Sequence, residues 1–268
     1  SSIVRTESMA VEDSKMSFGS HLEELRQKLI HIISVVLVCA ITVFCFKEET
    51  FALLLSPRNS DFITFRAIEK LLRSFGKDFA FDQYNINLIS TELSAQFMVH
   101  LEMACMIGAL IASPYIIYEI FKFISPALYD NEKRYSVRIC VTSYLLFIVG
   151  VVMNYFVLFP IAFRFLGTYQ VADAVVSQIT ISSYISTFLS LSFTMGVVFD
   201  LPVLSFLLGK LGILKADFMK RYRRHSLIAI MVIAAFITPP DLFTLFLVTI
   251  PLYLLYEVSI IIVSKVEK

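Results

Sequence analysis

Residues 113–138 have the sequence SPYIIYEIFKFISPALYDNEKRYSVR, and this stretch separates two long apolar segments. Proline lacks a backbone N–H and restricts the residue before it, so Pro114 and Pro126 are expected to stop or bend helices at the two ends of the stretch. Aromatic residues alternate with charges between and after the prolines, whereas a flexible linker would be rich in glycine and serine. The stretch predicts a rigid platform that carries a carboxylate and is positioned at one surface by the rest of the chain.

The composition of the rest of the chain is that of a membrane protein. Hydrophobic residues make up 57% of the 268 residues, charged residues make up 17%, and the mean hydropathy is +0.77. These values exclude a soluble domain and favour a polytopic helical membrane protein. The formal net charge of +1, with the basic residues in loops, gives no reason to expect nucleic acid as a partner.

Six apolar segments are predicted to cross the membrane, and an amphipathic surface helix leads directly into the first. The fourth contains Asp200 and Pro202 and is expected to tilt or bend. The fifth has only twelve residues, about 18 Å of helix against a hydrocarbon core of about 30 Å, so it should form a short hairpin with the sixth. The predicted spans are residues 29–46, 97–118, 139–163, 179–208, 226–237 and 242–263.

These spans form one predicted transmembrane domain, residues 17–263. We expect residues 1–16 to be a flexible tail without a cleavable signal, because they are polar, and residues 264–268 to be a cytoplasmic tail. Within the long first loop, the sequence ITFRAIEKLLRSF predicts a short amphipathic helix at the opposite membrane face.

The orientation follows from the basic residues in the short loops. Loop 122–138 has four Lys or Arg residues and loop 210–224 has six, whereas the facing loops 167–178 and 238–241 have none. Short loops rich in Lys and Arg remain in the cytoplasm. Both termini and the platform are therefore predicted to be cytoplasmic.

Two carboxylates, Glu24 and Glu132, are the first functional candidates, one at the cytoplasmic end of the first span and one in the platform. A carboxylate pair suits a dibasic peptide, because each carboxylate can bind a guanidinium through charge-assisted hydrogen bonds. The alternative is that Glu24 pairs with Lys28, four residues further on, and that Glu132 is a solvated loop charge. Composition alone favours that alternative.

Asp200 is the second candidate, because a carboxylate within a span costs about 2.5–3.5 kcal/mol and should face protein or water. Ser190, Ser192 and Thr194 would add a polar stripe beside it, so the segment predicts a wet or partner-binding groove. The alternative for Asp200 is an acid at a helix end in the interface. Glu257, in the last span, is expected to snorkel or to pair with a loop arginine.

Enzyme motifs are missing from the sequence. It has no GxxxxGK[ST] phosphate loop, no HExxH, no GxSxG and no cluster of metal ligands, so we expect no catalytic residue, metal or cofactor. The four cysteines have no CxxC spacing and are expected to be small buried hydrophobic residues; they are Cys39, Cys45, Cys105 and Cys140.

Four motifs, in this order, resemble those of TatC, the multispanning subunit of the twin-arginine protein translocase. They are SFGSHLEELRQKL, PYIIYEIFKFISPALYDNEKR, VVFDLPVL and ITPPDLFTLFLVTIPLYLLYE, and together they extend over nearly the whole chain. The resemblance implies an all-α, glove-shaped integral protein with six transmembrane helices and both termini in the cytoplasm. It also implies a multi-pass protein of the bacterial cytoplasmic (inner) membrane.

The function implied by the resemblance is Sec-independent protein transport. Members of the family recognise the twin-arginine signal peptides of folded precursors at the cytoplasmic face. They then assemble with single-span partners of the TatA and TatB type into a translocation complex that the proton gradient drives. The resemblance therefore implies these partners, the lipid bilayer and further copies of the chain within the complex.

The resemblance also assigns roles by motif position. Glu24 and Glu132 match the acidic residues that bind the arginine pair, and Asp200 matches the intramembrane acid that meets polar groups of partner helices. Glu is more common than Asp at position 200, and Gln is common where this chain has Glu119. The other matching positions of the recognition surface are Arg26, Pro114, Phe123, Pro126 and Leu128.

Two other functions compete with this interpretation. A small proton-coupled secondary transporter would use Asp200 as the carrier of the coupling ion, and such a protein usually shows an inverted internal repeat, which is not visible here. A structural assembly factor would only scaffold other membrane proteins. Charge substitutions at Glu24 and Glu132 would leave its binding intact.

Overall fold

The computed structural model describes residues 18–75, 86–124, 136–169 and 178–267. The predicted tail at residues 1–16 lies outside these ranges, as do Pro126, Leu128 and Glu132 of the platform. The described chain is mostly helical, and its strands are one parallel pair of two residues each, in which Leu88 is opposite Ile179.

Helices account for most of the described residues. In chain order they are α1 (Phe18–Cys45), α2 (Lys47–Leu55), α3 (Ile63–Ser74), α4 (Ala95–Ile124), α5 (Ser136–Met153), α6 (Phe159–Thr168), α7 (Ile181–Phe199), α8 (Leu201–Lys210), α9 (Ala216–Arg221), α10 (Arg223–Ile237) and α11 (Leu242–Val266). A 3₁₀ turn, Ser56–Arg58, follows α2, and a π-helical turn, Asn154–Leu158, joins α5 to α6. The paired strands are β1 (Leu88–Ile89) and β2 (Ile179–Thr180).

Within the described ranges, five segments are long and apolar enough to cross a membrane. They are Leu25–Cys45, Ala95–Lys122, Val137–Thr168, Ile181–Lys210 and Leu242–Val266. Helix α10 contains the predicted fifth span, and its 15 residues correspond to about 22 Å, which is less than a hydrocarbon core of about 30 Å. The described chain therefore has the helices of a multi-pass membrane protein.

Helix α1 is continuous, as the sequence predicts for the surface helix and the first span, and it packs antiparallel against α4. The rings of Phe44 and His100 stack with centroids 4.0 Å apart, and Gly108 of α4 lies against Ala40. A Cβ atom on Gly108 would be 2.6 Å from the backbone nitrogen of Ala40. Small residues at such crossings let membrane helices approach closely. The start of α1 and the end of α4 therefore share one end of the bundle.

Pro114 does not stop a helix, and the bend that the sequence gives as the alternative stays a prediction. It lies inside α4, which continues to Ile124. A proline removes one backbone hydrogen bond, but in hydrocarbon every other backbone group still needs an internal partner, and this favours continuation of the helix. The first part of the 113–138 stretch is therefore an extension of the second span and not a separate platform.

The fourth span breaks at Asp200, where the sequence predicts a bend. Helix α7 ends at Phe199, and α8 begins at Leu201 with Pro202 in its first turn. The main-chain carbonyl of Asp200 accepts hydrogen bonds from the amides of Val203 and Leu204, both at 3.0 Å. The backbone groups at the break are thus satisfied within the chain.

The break changes the helix on which the fourth span packs. Before it, α7 packs closely on α5, where Gly150 lies against the backbone of Met195 and Gly196 lies under the ring of Phe147. After it, α8 packs on α11, where Gly209 lies against Val263, and makes only light contact with α5.

Helices α2 and α3 and the strand pair cover one end of the bundle, here called the capped end. The hydroxyl of Tyr155 donates to the carbonyl of Leu53, and that of Tyr184 donates to the carbonyl of Leu54, both at 2.9 Å. The ring of Phe62 packs edge-on against Tyr155, with centroids 5.6 Å apart. These contacts attach the long first loop to the third and fourth spans.

Helix α3 is amphipathic, which confirms the helix predicted in this loop. Phe65 is buried against the body of the protein, while Ile63 and Leu71 form an exposed apolar stripe. Arg66 and Lys70 are exposed on the neighbouring side of the helix.

The cysteines are not in the core, so that expectation is wrong. Cys45 and Cys105 are exposed, Cys39 and Cys140 are half-buried, and all four are free thiols. An apolar segment of a membrane protein can face lipid as well as protein, and hydropathy alone does not distinguish the two surfaces.

The crossing of α1 and α4 gives a stability prediction. Gly108→Ala would place a methyl group against the rigid backbone of Ala40, so we expect the free energy of unfolding to fall by about 1–3 kcal/mol, the usual cost of overpacking. The measurement is an SDS unfolding titration of the purified protein in mild detergent.

Gly167→Ala in α6 is the matched control, because its new Cβ atom would meet mainly the flexible end of the Ile86 side chain. It should change the stability much less. Equal stability of the Gly108→Ala variant and the wild type would contradict this account of the crossing.

Candidate functional site

One end of the bundle collects basic side chains and is here called the basic end. Because α1 and α4 are antiparallel, the start of α1 lies beside the end of α4, and α8 and α11 also end there. The described basic residues at or near it are Arg26, Lys28, Lys122, Arg138, Lys210, Lys215, Lys220, Arg221, Arg223, Arg224 and Lys265. The capped end lies opposite, beside the hairpin between α10 and α11.

The structure places two of the predicted recognition residues at the same level of the basic end. Ala40 of α1 and Gly108 of α4 are in contact. Glu24 lies sixteen residues before Ala40 on α1, and Ile124 lies sixteen residues after Gly108 on α4. Glu24 and Phe123 therefore lie on adjacent helices at similar depth. The structure does not describe the side chains of Glu24 and Phe123. Three further recognition residues lie wholly outside the described part of the chain: Pro126, Leu128 and Glu132.

Arg26 is exposed on the first turns of α1. Its guanidinium lies 3.6 Å from a carboxylate oxygen of Glu23, and both side chains are more than half exposed. Exposed pairs of this kind contribute about 0–1 kcal/mol, so the pair can open at little cost.

Pro114 is separated from the other recognition residues. It lies ten residues before the end of α4, or about 15 Å along the helix axis. There it borders a small cleft against α5, together with Tyr118, Cys140 and Tyr144. The structure therefore does not bring Pro114 next to Glu24.

Asp200 borders a cleft of about 420 Å³ between α4, α5, α7 and α8, here called the Asp200 cleft. Its walls are almost entirely apolar; they are formed by Ala109, Ile116, Ile117, Ile120, Phe121, Phe147, Phe193, Val197, Val198, Leu201, Val203, Leu204 and Leu207. The polar side chains in the lining are those of Ser113, Ser143 and Asp200.

The polar atoms of the Asp200 cleft are not all satisfied. The Ser143 hydroxyl hydrogen-bonds to the Asp200 carboxylate, but Asp200 Oδ1 and the hydroxyl of Ser113 are buried without a partner. An unsatisfied buried polar group costs about 1–3 kcal/mol. The cleft is therefore suited to a polar side chain that enters on an otherwise apolar helix. Among the described residues, no group of three His, Cys, Asp or Glu could hold a metal ion.

The polar stripe predicted from the fourth span does not form this site. Ser192 is fully buried, and its hydroxyl accepts a hydrogen bond from Asn154 and donates one to the carbonyl of Phe188, both at 2.8 Å. The prediction therefore mistook a packing contact for part of a groove. The sequence analysis missed Ser113 and Ser143, which supply the hydroxyls of the cleft from the second and third spans.

Glu257 has a structural role, as predicted. Its carboxylate lies 2.7 Å from the guanidinium of Arg223 and accepts a hydrogen bond from Tyr253 at 3.0 Å. The hydroxyl of neighbouring Tyr256 accepts a hydrogen bond from Ser226. This network joins the start of α10 to α11 at the basic end.

Comparisons with known proteins cover nearly the whole chain. The sequence model of the family described as Sec-independent protein translocase protein (TatC) matches residues 20–251. The chain is 36% identical over 265 residues to the TatC protein of Blattabacterium sp. subsp. Periplaneta americana, which covers 97% of this chain and 99% of the relative. It is 31% identical over 252 residues to TatC of Escherichia coli (strain K12), and the match covers 94% of this chain and 89% of the relative.

The fold is similar to two crystal structures of the twin arginine translocase receptor TatC. The first superposes with a TM-score of 0.74 and 30% sequence identity, over 92% of this chain and 100% of that one. The second, of the receptor in DDM, has a TM-score of 0.72 and 31% identity, over 90% of this chain and 98% of that one.

The unsatisfied oxygen of Asp200 gives a stability prediction. The Asp200 side chain makes no capping bond to α8, so Asp200→Leu removes a poorly paired carboxylate and loses the hydrogen bond from Ser143 but no cap. We expect the isolated protein to become more stable by about 1 kcal/mol, because the carboxylate no longer has to be desolvated. The thermal midpoint in detergent measures this change.

Asp241→Leu is the matched control, because the Asp241 carboxylate caps α11 by accepting the amide hydrogen of Thr244 at 2.6 Å. Its loss should lower the stability by about 0.5–2 kcal/mol. If Asp200→Leu destabilised the protein as much as Asp241→Leu does, Asp200 would be a structural residue.

Proposed function

The chain belongs to the Sec-independent protein translocase (TatC) family, and from this premise we propose that it recognises the twin-arginine signal peptides of folded precursors at its cytoplasmic face. The likeness over nearly the full length to a twin arginine translocase receptor carries this proposal. The proposed role is binding and assembly, and it assigns no catalytic residue and no cofactor.

The proposed topology has six spans in a bacterial cytoplasmic membrane, in a glove-shaped arrangement. Helix α10 would be the fifth span, short enough to thin the bilayer locally, and α11 would be the sixth. The basic end would face the cytoplasm, because Lys and Arg residues collect there. Both termini would then be cytoplasmic.

For the recognition surface we propose that Glu24 and Glu132 each bind one guanidinium of the arginine pair. The support is that Glu24 and Phe123 lie at the same level of the basic end, and that α5 starts there at Ser136, four residues after Glu132. The proposed surface also includes Arg26, Pro114, Pro126 and Leu128.

For the Asp200 cleft we propose a single-span partner of the TatA or TatB type as the ligand. Such a partner presents an apolar helix, and a polar side chain on it could satisfy Asp200 and Ser113. The support is the combination of apolar walls and unsatisfied oxygens in one cleft. Several copies of the chain with these partners would form the complex that the proton gradient drives.

The recognition proposal predicts a binding defect in Glu132→Gln. At about 1.5–3 kcal/mol for a charged hydrogen bond, the variant should bind a twin-arginine peptide roughly ten- to a hundredfold more weakly. The measurement is titration of a labelled signal peptide against the protein in nanodiscs, with a Lys-Lys peptide as the reference.

Glu119→Gln is the matched control, because it neutralises another carboxylate of the same stretch, and it should keep the affinity. Unchanged binding by Glu132→Gln, or equal binding of the Arg-Arg and Lys-Lys peptides, would refute the proposed arginine site.

The partner proposal predicts that Asp200→Ala loses contact with single-span partners but still binds the signal peptide, since the two sites lie at different depths. The measurement is site-specific cross-linking in membranes. Asp200→Glu, which retains the carboxylate, should keep the cross-link. Unaltered cross-linking by Asp200→Ala would exclude the carboxylate as the partner contact.

A further inference from the structure

A second cleft, of about 440 Å³, lies between α5, α8 and α11. It adjoins the Asp200 cleft, with which it shares Val203 of α8, and it is here called the α11 cleft. Its lining residues are Arg138, Ile139, Thr142, Leu146, Pro202, Val203, Phe206, Leu255, Val258 and Ile262. All of them belong to segments that are long and apolar enough to cross a membrane.

The α11 cleft results from the break in the fourth span. Helix α7 packs on α5 through Gly150 and Gly196, but beyond the break α8 packs on α11 through Gly209. The N-terminal half of α5 therefore packs only loosely against α8. A wedge-shaped gap opens between these helices, and α11 forms its third wall.

The shape of the cleft is elongated and parallel to the helices. On α5 the lining residues Arg138, Thr142 and Leu146 follow one another at intervals of four, so they span about 12 Å along one face. The walls are formed by large apolar side chains, including Phe206 and Ile262. Apolar walls that extend about 12 Å along the helices suit a hydrocarbon chain.

The charges of the cleft are at one end. Arg138 lies in the first turn of α5, and Lys210 ends α8 with its ammonium 5.6 Å from the centre of the Phe206 ring. The first turn of α5 adds the partial positive charge of a helix start.

We propose that the α11 cleft binds an anionic phospholipid, with one acyl chain between α5, α8 and α11 and the phosphate beside Arg138 and Lys210. A phospholipid has the same pattern as the cleft, a charge at the membrane surface and hydrocarbon below it. The phosphate complements the cations of the basic end, and the acyl chain covers apolar walls that α5 and α8 leave uncovered. The proposal does not depend on the recognition of signal peptides.

The absence of tryptophan from the sequence makes the test simple, since one introduced tryptophan is the only one in the protein. Phe206→Trp places it in the cleft with little change of volume and keeps an aromatic face for Lys210. Ile261→Trp is the matched control, because Ile261 precedes the lining residue Ile262 on α11 but is 56% exposed outside the cleft.

The probes are phosphatidylglycerol and phosphatidylcholine brominated on their acyl chains, compared at equal mole fraction in proteoliposomes. We expect brominated phosphatidylglycerol to quench the Phe206→Trp protein more strongly than brominated phosphatidylcholine does, and the two lipids to quench the Ile261→Trp protein alike. Adding Arg138→Gln to Phe206→Trp should reduce the preference for phosphatidylglycerol about fivefold, which is typical of one basic residue near the surface. Adding Arg138→Lys instead should retain the preference.

Three results would overturn the proposal. Equal quenching of the Phe206→Trp protein by the two lipids would mean that the cleft does not select an anionic headgroup. A preference that survives Arg138→Gln would place the headgroup elsewhere. Protection of the introduced tryptophan in the cleft from both lipids would mean that protein, either a partner helix or a second copy of the chain, fills the cleft.

Discussion

The interruption of the fourth span at Asp200 is the constraint on which the arrangement of the other helices depends. In hydrocarbon a helix can break only where its backbone groups find partners, and here the amides of Val203 and Leu204 bond to the Asp200 carbonyl. The break lets α7 pack on α5 and α8 pack on α11. Both clefts follow from this exchange of neighbours, and Val203 of α8 lines both of them.

The hydrogen bonding of buried polar groups separates structural residues from candidate functional ones. Asn154 bonds to Ser192, and Glu257 bonds to Arg223 and Tyr253, so these groups join helices. Asp200 retains an oxygen without a partner in an apolar cleft. An unsatisfied buried carboxylate lowers the stability of a membrane protein. Such a group is expected where a ligand completes its hydrogen bonding.

The helices and the break were predictable from sequence, because hydrocarbon requires internal backbone bonding and because an acid beside a proline is unfavourable within a span. The extension of α4 from residue 118 to Ile124 and the exposure of Cys45 were not predictable, since local propensity and hydropathy do not describe what lies beside a helix. The polar partners of Asp200 were missed for the same reason. Ser113 and Ser143 come from other spans, and only the tertiary packing brings them to the cleft.

Helix α4 connects the two proposed sites physically. Its last turns carry Phe123 at the level of Glu24, and two residues earlier Phe121 begins the stretch that lines the Asp200 cleft back to Ala109. The close approach of Gly108 to Ala40 restricts movement of α4 against α1. In the two proposals, signal recognition and partner binding therefore use the same helix.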